Sequence, residues 1–404
     1  MYDGIMNASP KTRTPYLSSF FLVLTAFVAL WQLWRTRCVI QETQPPQDTG
    51  LPATPPRVTI IVPMRNEEAN VDACLTSLVG QDYPNFEILV VDDGSNDGTS
   101  QLLRKWSERN ALIRVKRVDR LPENWTGKAH ALHTGVMNAC SEWLLFTDAD
   151  TRHAPQALRL MMSHALRYQV DLLSMRTNAM TLSGPIMPLL MPLSEILLAS
   201  KVTPREVRDP KSARAFAFGQ YILLKKEAYL STGGYAEDGM HTISVEDVAL
   251  AALFKRRGKR LDLVNGRGLI TNRQWTTWKS ALQGWGKSSM GEILRSHLAF
   301  AALPAGLALI CYALIPLLKL FNAARPRRKP DVSLLLAGVT LLAQVEAKRS
   351  FDKEFGLPCY WSLTAPFGWM VCGVMTLDVG YHILIGRRYE WKGRHLPKQK
   401  AFRV

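Results

Sequence analysis

The chain has 404 residues, room for roughly two or three domains of ordinary size. Its formal net charge of +16 does not point to nucleic acid, because much of it lies beside apolar segments: beyond residue 296 there are fifteen Lys/Arg against six Asp/Glu. Positive charge in that position marks cytoplasmic loops and attracts anionic lipid. The six cysteines form no Cys-x-x-Cys pair and no metal-binding spacing, so inert thiols in a reducing compartment are expected.

Residues 16–34 form an uncharged apolar run about long enough to cross a bilayer, flanked by Lys11, Arg13, Arg35 and Arg37. No small-residue cleavage site follows it, which favours a retained anchor over residues 1–40. Residues 41–56, rich in Pro, Gln and Thr, read as a linker. The β-branched run 58–63 reads as a buried strand. Residues 70–78 show helical spacing, 86–91 a second strand, 99–109 a helix, 113–118 a third strand and 127–139 a further helix. A fourth strand, Trp143 to Phe146, runs into Thr147-Asp148-Ala149-Asp150. Strands alternating with helices predict an α/β fold with a doubly wound, mostly parallel sheet, whose ligands gather at the strands' carboxyl ends.

The polar clusters fall at those ends. Asp148 and Asp150 are two apart and share a face if the strand continues; such a pair suits a hard divalent cation, the other reading being a solvated acidic turn. Asp92 and Asp93, followed by Gly94 and Ser95, either accept hydrogen bonds from a ligand or simply make a turn. Lys128 stands near a helix start, where a cation and free amides suit phosphate; an exposed lysine is the alternative. Residues 180–200 are apolar but carry Pro185, Pro188 and Pro192, which excludes one regular spanning helix. They either dip to the membrane surface, shape an acceptor groove or connect core elements. Glu246 and Asp247 open a predicted helix, where acids cap as well as catalyse.

Three pieces in order, residues 58–67, Val90 to Ser95, and Thr147 to Asp150, resemble the nucleotide-sugar half of family 2 (GT-A fold) glycosyltransferases over about residues 57–290. The resemblance implies a GT-A domain that binds a nucleotide diphosphate sugar, UDP-hexose being expected, with Mg²⁺ or Mn²⁺ on Asp148 and Asp150. Pro63, Glu67, Asp92 and Asp93 are then placed at the nucleoside, and Lys128 at the diphosphate. In such enzymes an E-D pair lies near the acceptor, which assigns Asp247 as general base and Glu246 as its positioning partner. Arg273-Gln274-Trp275-Thr276-Thr277-Trp278 is close to the Q-x-x-R-W signature of processive polysaccharide synthases, but Thr277 replaces the Arg. That departure counts against a polysaccharide synthase, while Arg273, Trp275 and Lys287 are still placed to close over the diphosphate or stack on a sugar. The segments Leu121 to Ala129, Trp285 to Ser288 and Tyr389 to Arg394 are similar to the branch that includes diaponeurosporenoate-type and hopene-associated glycosyltransferases. This implies a membrane lipid acceptor: a carotenoid, a hopanoid or another isoprenoid or glycerolipid. Polysaccharide synthesis and non-catalytic sugar-nucleotide binding are the alternatives.

The transferase domain must meet cytosolic sugar nucleotides, so it is expected inside, with a membrane region over residues 291–404 that ends in a basic tail. Residues 277–294 read as an amphipathic helix with Trp278 and Trp285 at the interface. Residues 297–321 contain Pro304 and Pro316 and precede the cluster Arg325, Arg327, Arg328 and Lys329. If that cluster is cytoplasmic, 297–321 enters and returns, and 332–345 with 360–386 forms a hairpin; a three-pass arrangement puts the tail outside.

Overall fold

The computed structural model describes residues 14–179, 184–243, 245–272, 277–295, 301–323 and 331–385, with 390, 391, 394 and 395. The cluster Arg325 to Lys329 and nearly all of the basic tail lie outside the described residues, as do Arg273 and Trp275. The first helix, α1 (Thr14–Glu42), has 29 residues. The chain divides into two compact units: residues 1–37, 188–200 and 305–374 make one, and 38–187, 201–304 and 375–404 the other.

Besides a two-stranded pairing of Glu390–Trp391 with Arg394–His395, the described residues of the larger unit hold β1 (Val58–Met64), β2 (Phe86–Asp92), β3 (Ile113–Arg117), β4 (Trp143–Phe146), β5 (Thr151–His153), β6 (Leu172–Arg176), β7 (Asn178–Ala179), β8 (Ile222–Lys225), β9 (Leu261–Asn265) and β10 (Ile270–Asn272). Seven of them pair in the order β3-β2-β1-β4-β8-β6-β9, and β5-β10-β7 form a small second sheet. The centre is parallel, with Ile60 opposite Ile88 and Ile61 opposite Phe146. β8 runs antiparallel to both β4 and β6, so the sheet is mixed. Its central strands are buried on both faces, which is why they read as unbroken apolar runs. The edge strand β3 exposes Arg114, Lys116 and Arg117, charges that discourage pairing with another chain.

The helices α2 (Val71–Val79), α3 (Thr99–Arg109), α4 (Gly127–Asn138), α5 (Ala157–Arg167), α7 (Pro204–Arg208), α8 (Lys226–Thr232), α9 (Glu246–Arg256) and α10 (Trp278–Arg295) complete this unit. α2 buries Val71, Cys74, Leu75 and Leu78, one stripe of a 3.6-residue period. α4 lies so close to β1 that a Cβ on Gly135 would come 2.4 Å from Ile61 Cγ2.

Residues 43–57 have no regular secondary structure but are not loose. The Gln47 amide donates to His164 Nδ1 at 3.1 Å, the Thr49 amide to Ser163 Oγ at 2.8 Å and the Tyr83 hydroxyl to the Pro56 carbonyl at 2.6 Å. Because Nδ1 of His164 accepts, its proton sits on Nε2, which faces buried Asp262 at 3.1 Å.

The smaller unit is helical: most of α1, the centre of α6 (Ile186–Lys201), α11 (Ala302–Ala323), α12 (Val332–Glu354) and part of α13 (Ala365–Leu384). Among the described residues three stretches, Ser19–Glu42, Ala302–Ala323 and Cys359–Leu384, are long and apolar enough to cross a membrane. α6, with Pro192 inside it, has 16 residues and is too short to do so. The return expected within 297–321 is not there: residues 302–323 form one helix. Pro304 falls in its first turn, where no backbone donor is needed, and a membrane helix tolerates an internal proline such as Pro316. α12 runs past its apolar stretch and buries an ion pair, Lys348 Nζ to Asp352 Oδ1 at 2.8 Å; Ser362 donates to the other carboxylate oxygen. Polar bonds also join helices: Tyr312 donates to Gln32 at 2.8 Å, and Gln344 to the Tyr312 carbonyl at 3.0 Å.

Gly135→Val should lower the unfolding free energy by about 1–3 kcal/mol through overpacking against Ile61, measured by denaturant or thermal unfolding. An unchanged midpoint would contradict the close approach of α4 to β1.

Candidate active site

The parallel centre of the sheet brings the carboxyl ends of β2, β1 and β4 side by side. The loops that leave them are sewn together. The Arg65 guanidinium donates to the carbonyls of Asp93 at 2.7 Å and Gly94 at 3.0 Å. The Asn66 amide donates to Ser95 Oγ at 3.1 Å, and the Glu67 amide to Thr99 Oγ1 at 2.8 Å. Asn66 takes φ +52°, a left-handed turn that an asparagine tolerates better than most residues. Pro63 lies in β1 opposite Val91, and Glu67 accepts from the Asn70 side chain at 2.7 Å.

Asp92 and Asp93 are both buried, and they differ. The Asp92 carboxylate accepts from the Ser95 amide, from Ser100 Oγ and from Arg117 at 3.2 Å. It therefore shapes the loop. Asp93, whose amide bonds the Met64 carbonyl at 2.9 Å, stands at the mouth of β2 beside it.

After β4 the chain turns through Asp148 and Asp150. Thr151 Oγ1 donates to the Asp148 carbonyl at 2.7 Å, and Thr147 Oγ1 to the Gln220 carbonyl at 2.8 Å. Both hydroxyl oxygens then face His153 Nε2, at 2.9 Å from Thr147 and 3.1 Å from Thr151. Burial, helped by the Arg152 charge, pushes the His153 imidazole down to about 3, so it is neutral at ordinary pH and its Nε2–H is the donor. Beneath this turn, burial pushes the Cys74 thiol up to about 12, consistent with an inert thiol.

Lys128, in the first turn of α4, reaches Asp148 Oδ1 at 2.6 Å and Glu246 Oε1 at 2.9 Å. One ammonium thus joins the two acidic pairs, which come from opposite halves of the chain. Burial works against its charge, but the carboxylates of Asp148, Glu246 and Asp247 outweigh it and hold its pKa well above the usual lysine value. Asp247 accepts from the Gly219 amide at 2.8 Å on one oxygen and from the Val248 amide at 2.8 Å on the other. Behind them Tyr235 stacks on Phe146 and donates its amide to the Tyr229 hydroxyl at 2.9 Å. The start of α4 is tied to the segment before α9 by Thr126 N–H to the His241 carbonyl at 2.8 Å.

Among the described residues no three His, Cys, Asp or Glu side chains close into a metal cage. The donor set nevertheless fits a hard cation. Asp148 is 26% exposed and supplies oxygen, and Mg²⁺-type ions usually take one or two carboxylates and complete their shell on substrate phosphates. The carboxylates around Lys128 also outnumber it, which leaves negative charge for a further cation to offset.

The structure therefore gathers Pro63, Glu67, Asp92, Asp93, Lys128, Asp148, Asp150, Glu246 and Asp247 at one edge; Arg273, Trp275 and the Lys287 side chain fall outside the described residues. Sequence reasoning missed the bond of Gly219 to Asp247, the role of Arg117 and the Thr147–Thr151–His153 knot. The signal for the knot was three polar side chains around two acids just after an apolar strand, a density of polar groups that burial makes costly unless they satisfy one another.

Residues 59–224 match the family model described as Glycosyl transferase family 2. The chain is 28% identical over 233 residues to 4,4'-diaponeurosporenoate glycosyltransferase of Staphylococcus aureus (strain USA300), an alignment covering 57% of this chain and 60% of that protein. The match thus spans less than two thirds of the relative's length. A mannosyltransferase from Pyrobaculum calidifontis, solved in complex with GDP-Man and Mn²⁺, superposes with a TM-score of 0.57 at 19% identity, over 91% of this chain and 98% of that one.

His153→Gln tests the knot through pH. With its pKa depressed from 6.5 to about 3, native His153 stays neutral while the unfolded chain binds a proton, so stability falls as pH drops from about 6.5 towards 3. The variant should flatten that slope by up to about 1.4 kcal/mol per pH unit; an identical slope in both proteins would contradict a buried neutral imidazole. Taken together, the mixed sheet and these likenesses give the chain a GT-A fold whose residues 59–224 match the glycosyl transferase family 2 model, with three helices among the described residues long and apolar enough to cross a membrane.

Proposed function

We propose that the protein transfers one hexosyl unit, with inversion, from a UDP-hexose to a hydroxyl or carboxyl group of a membrane lipid. The observation that carries this is the Lys128 bridge, which puts Asp148 and Glu246 within hydrogen-bond reach of one atom. A donor-side acid pair and an acceptor-side acid pair that share one ammonium are what a transfer between two substrates needs.

Asp93 and Glu67 accept from the nucleoside, while Asp92 and Arg117 hold the loop that presents them. Lys128 and the first amides of α4 receive the diphosphate. Asp148 and Asp150 hold Mg²⁺ or Mn²⁺, which when bound offsets the charge of the departing nucleotide. Two amides orient the Asp247 carboxylate and leave lone pairs to accept the proton of an attacking hydroxyl. A carboxylate acceptor is already ionised, and Asp247 then only orients it. Glu246, 5% exposed and paired with Lys128, fixes the start of α9 so that Asp247 points into the site.

The 4,4'-diaponeurosporenoate that names the S. aureus relative supports an isoprenoid acid as acceptor, and the bound GDP-Man and Mn²⁺ of the P. calidifontis mannosyltransferase support a nucleotide-sugar donor with a divalent cation. The donor itself supports a cytoplasmic transferase unit, the side where sugar nucleotides are found.

Purified protein incubated with UDP-sugars and lipid extract should add the mass of one hexosyl residue to a lipid; donor hydrolysis alone, or long glycan, would contradict the proposal. Asp148→Ala and Asp150→Ala should each abolish transfer in protein that still folds. Asp247→Asn should lower kcat for a hydroxyl acceptor by about 10²–10⁴-fold with little change in donor KM, and equal losses in both would make its role structural.

A further inference from the structure

The charge beyond residue 296 is not the chain's only concentration of basic residues. Residues 201–214 and 255–267 together hold eleven Lys/Arg against three acids. The fold makes one face of them. Lys255 Nζ donates to the carbonyls of Glu206, at 3.2 Å, and Val207, which docks the carboxyl end of α9 on α7. Arg214 donates to the Lys201 carbonyl at 2.8 Å, closing the first run on itself. Lys201, Arg205, Arg208, Lys211, Arg214, Arg256, Arg257, Arg260 and Arg267 are all exposed.

Acids offset only part of this charge: Arg208 pairs with Asp262 at 3.3 Å and Arg257 with Glu237 at 2.6 Å, while Lys211, Lys259, Arg260 and Arg267 make no side-chain ion pair among the described residues. Asp262 is buried against His164 and Arg208. Glu206 is used in the capping box of α7, accepting from the Thr203 amide at 2.7 Å. Asp209 bonds the Lys211 amide at 2.9 Å.

The position of the face identifies its partner. It surrounds the carboxyl end of α1: the Glu42 carboxylate accepts the Arg205 amide at 3.0 Å, the Glu42 carbonyl accepts the Arg208 guanidinium at 3.3 Å, and the Gln44 carbonyl accepts the Asn265 amide at 2.8 Å. The uncharged run of α1 ends at Trp34, and Glu42 stands eight residues further along the helix, about 12 Å beyond it, on the side of the span where headgroups stand. Groups bonded to that residue lie within a Debye length, about 10 Å at 0.1 M salt, of any lipid charge there. We propose that this face, at the β9 edge of the sheet, is a docking surface for anionic phospholipid headgroups. The headgroups bind at α7, the α9 carboxyl end and the turn after β9, whatever sugar or acceptor the site takes.

The test reconstitutes the full chain in nanodiscs of phosphatidylcholine with phosphatidylglycerol and reads, by electron spin resonance, the preference of spin-labelled phosphatidylglycerol over spin-labelled phosphatidylcholine for the protein surface. One variant carries Lys211→Gln, Lys259→Gln, Arg260→Gln and Arg267→Gln, none of which makes a side-chain ion pair among the described residues. A control carries Lys105→Gln, Arg109→Gln, Lys116→Gln and Arg120→Gln, exposed at the opposite, β3 edge of the sheet. The first variant should lower the preference by at least about twofold, the control should keep it, and about 0.5 M salt should erase the difference between wild type and the first variant. Equal preferences in wild type and the first variant, or an equal loss in the control, would overturn the proposal. So would loss of the preference on adding millimolar inorganic phosphate, which would make the face a free-anion site. Matching thermal midpoints for all three proteins keep misfolding from imitating the result.

Discussion

The site depends on a single ammonium held between carboxylates. Lys128 bonds Asp148 and Glu246 in a partly buried pocket, where charges interact more strongly than in water and an unpaired carboxylate is costly. That cost makes the arrangement compulsory. The D-x-D turn, the first turn of α4 and the first turn of α9 must converge, because each brings a charge that the others satisfy. Gly219 is part of the same constraint: a Cβ there would lie 2.9 Å from Asp247 Oδ2 and 3.2 Å from Lys128 Nζ, so any side chain would push the cluster apart. The remaining contacts, the hydroxyl–imidazole knot around His153 and the Tyr235–Phe146 stack, fix the backbone on which these charges ride.

Much of this was legible in the chain because the first half of the fold is coded locally. β1, β2 and β4 are short, mostly apolar runs, β2 ending in Asp92, β4 running into Thr147-Asp148 and β1 into Arg65-Asn66-Glu67, and a parallel sheet buried on both faces leaves that signature. The second half is less readable. β6 and β9 are five-residue strands interrupted by Ser174 and Arg176 and by Asp262 and Asn265, too short and mixed to be told from helix by pattern, and the antiparallel direction of β8 is decided by pairing with β4 and β6, not by its own residues. β5, β7 and β10 are two or three residues long and exist only through one another. The acids were found because each stands at the end of a recognisable element. Their junction through Lys128 and Gly219 was not, because it joins segments far apart in sequence.

The membrane helices show the same division. Prolines in residues 297–321 suggested a break, yet α11 is continuous, since Pro304 occupies a first-turn position that asks nothing of the backbone. Composition also foretold an irregular segment after α1, but not that its amides would be claimed by His164 and Ser163. Within the helical unit, Gln32, Tyr312 and Gln344 bond across helices, and Lys348, Asp352 and Ser362 satisfy one another. Polar groups in such surroundings specify which helix faces meet, because any other packing would leave them unsatisfied.

The central claim, that Lys128 and the acids around it form a nucleotide diphosphate site, is tested most directly by calorimetric titration of UDP with Mn²⁺ into the wild-type protein and Lys128→Met. The account predicts one saturable site in the wild type and at least about a tenfold weaker Kd in the variant, a loss of about 1.4 kcal/mol. Equal affinity in the two proteins, or no UDP binding to the wild type, would contradict it.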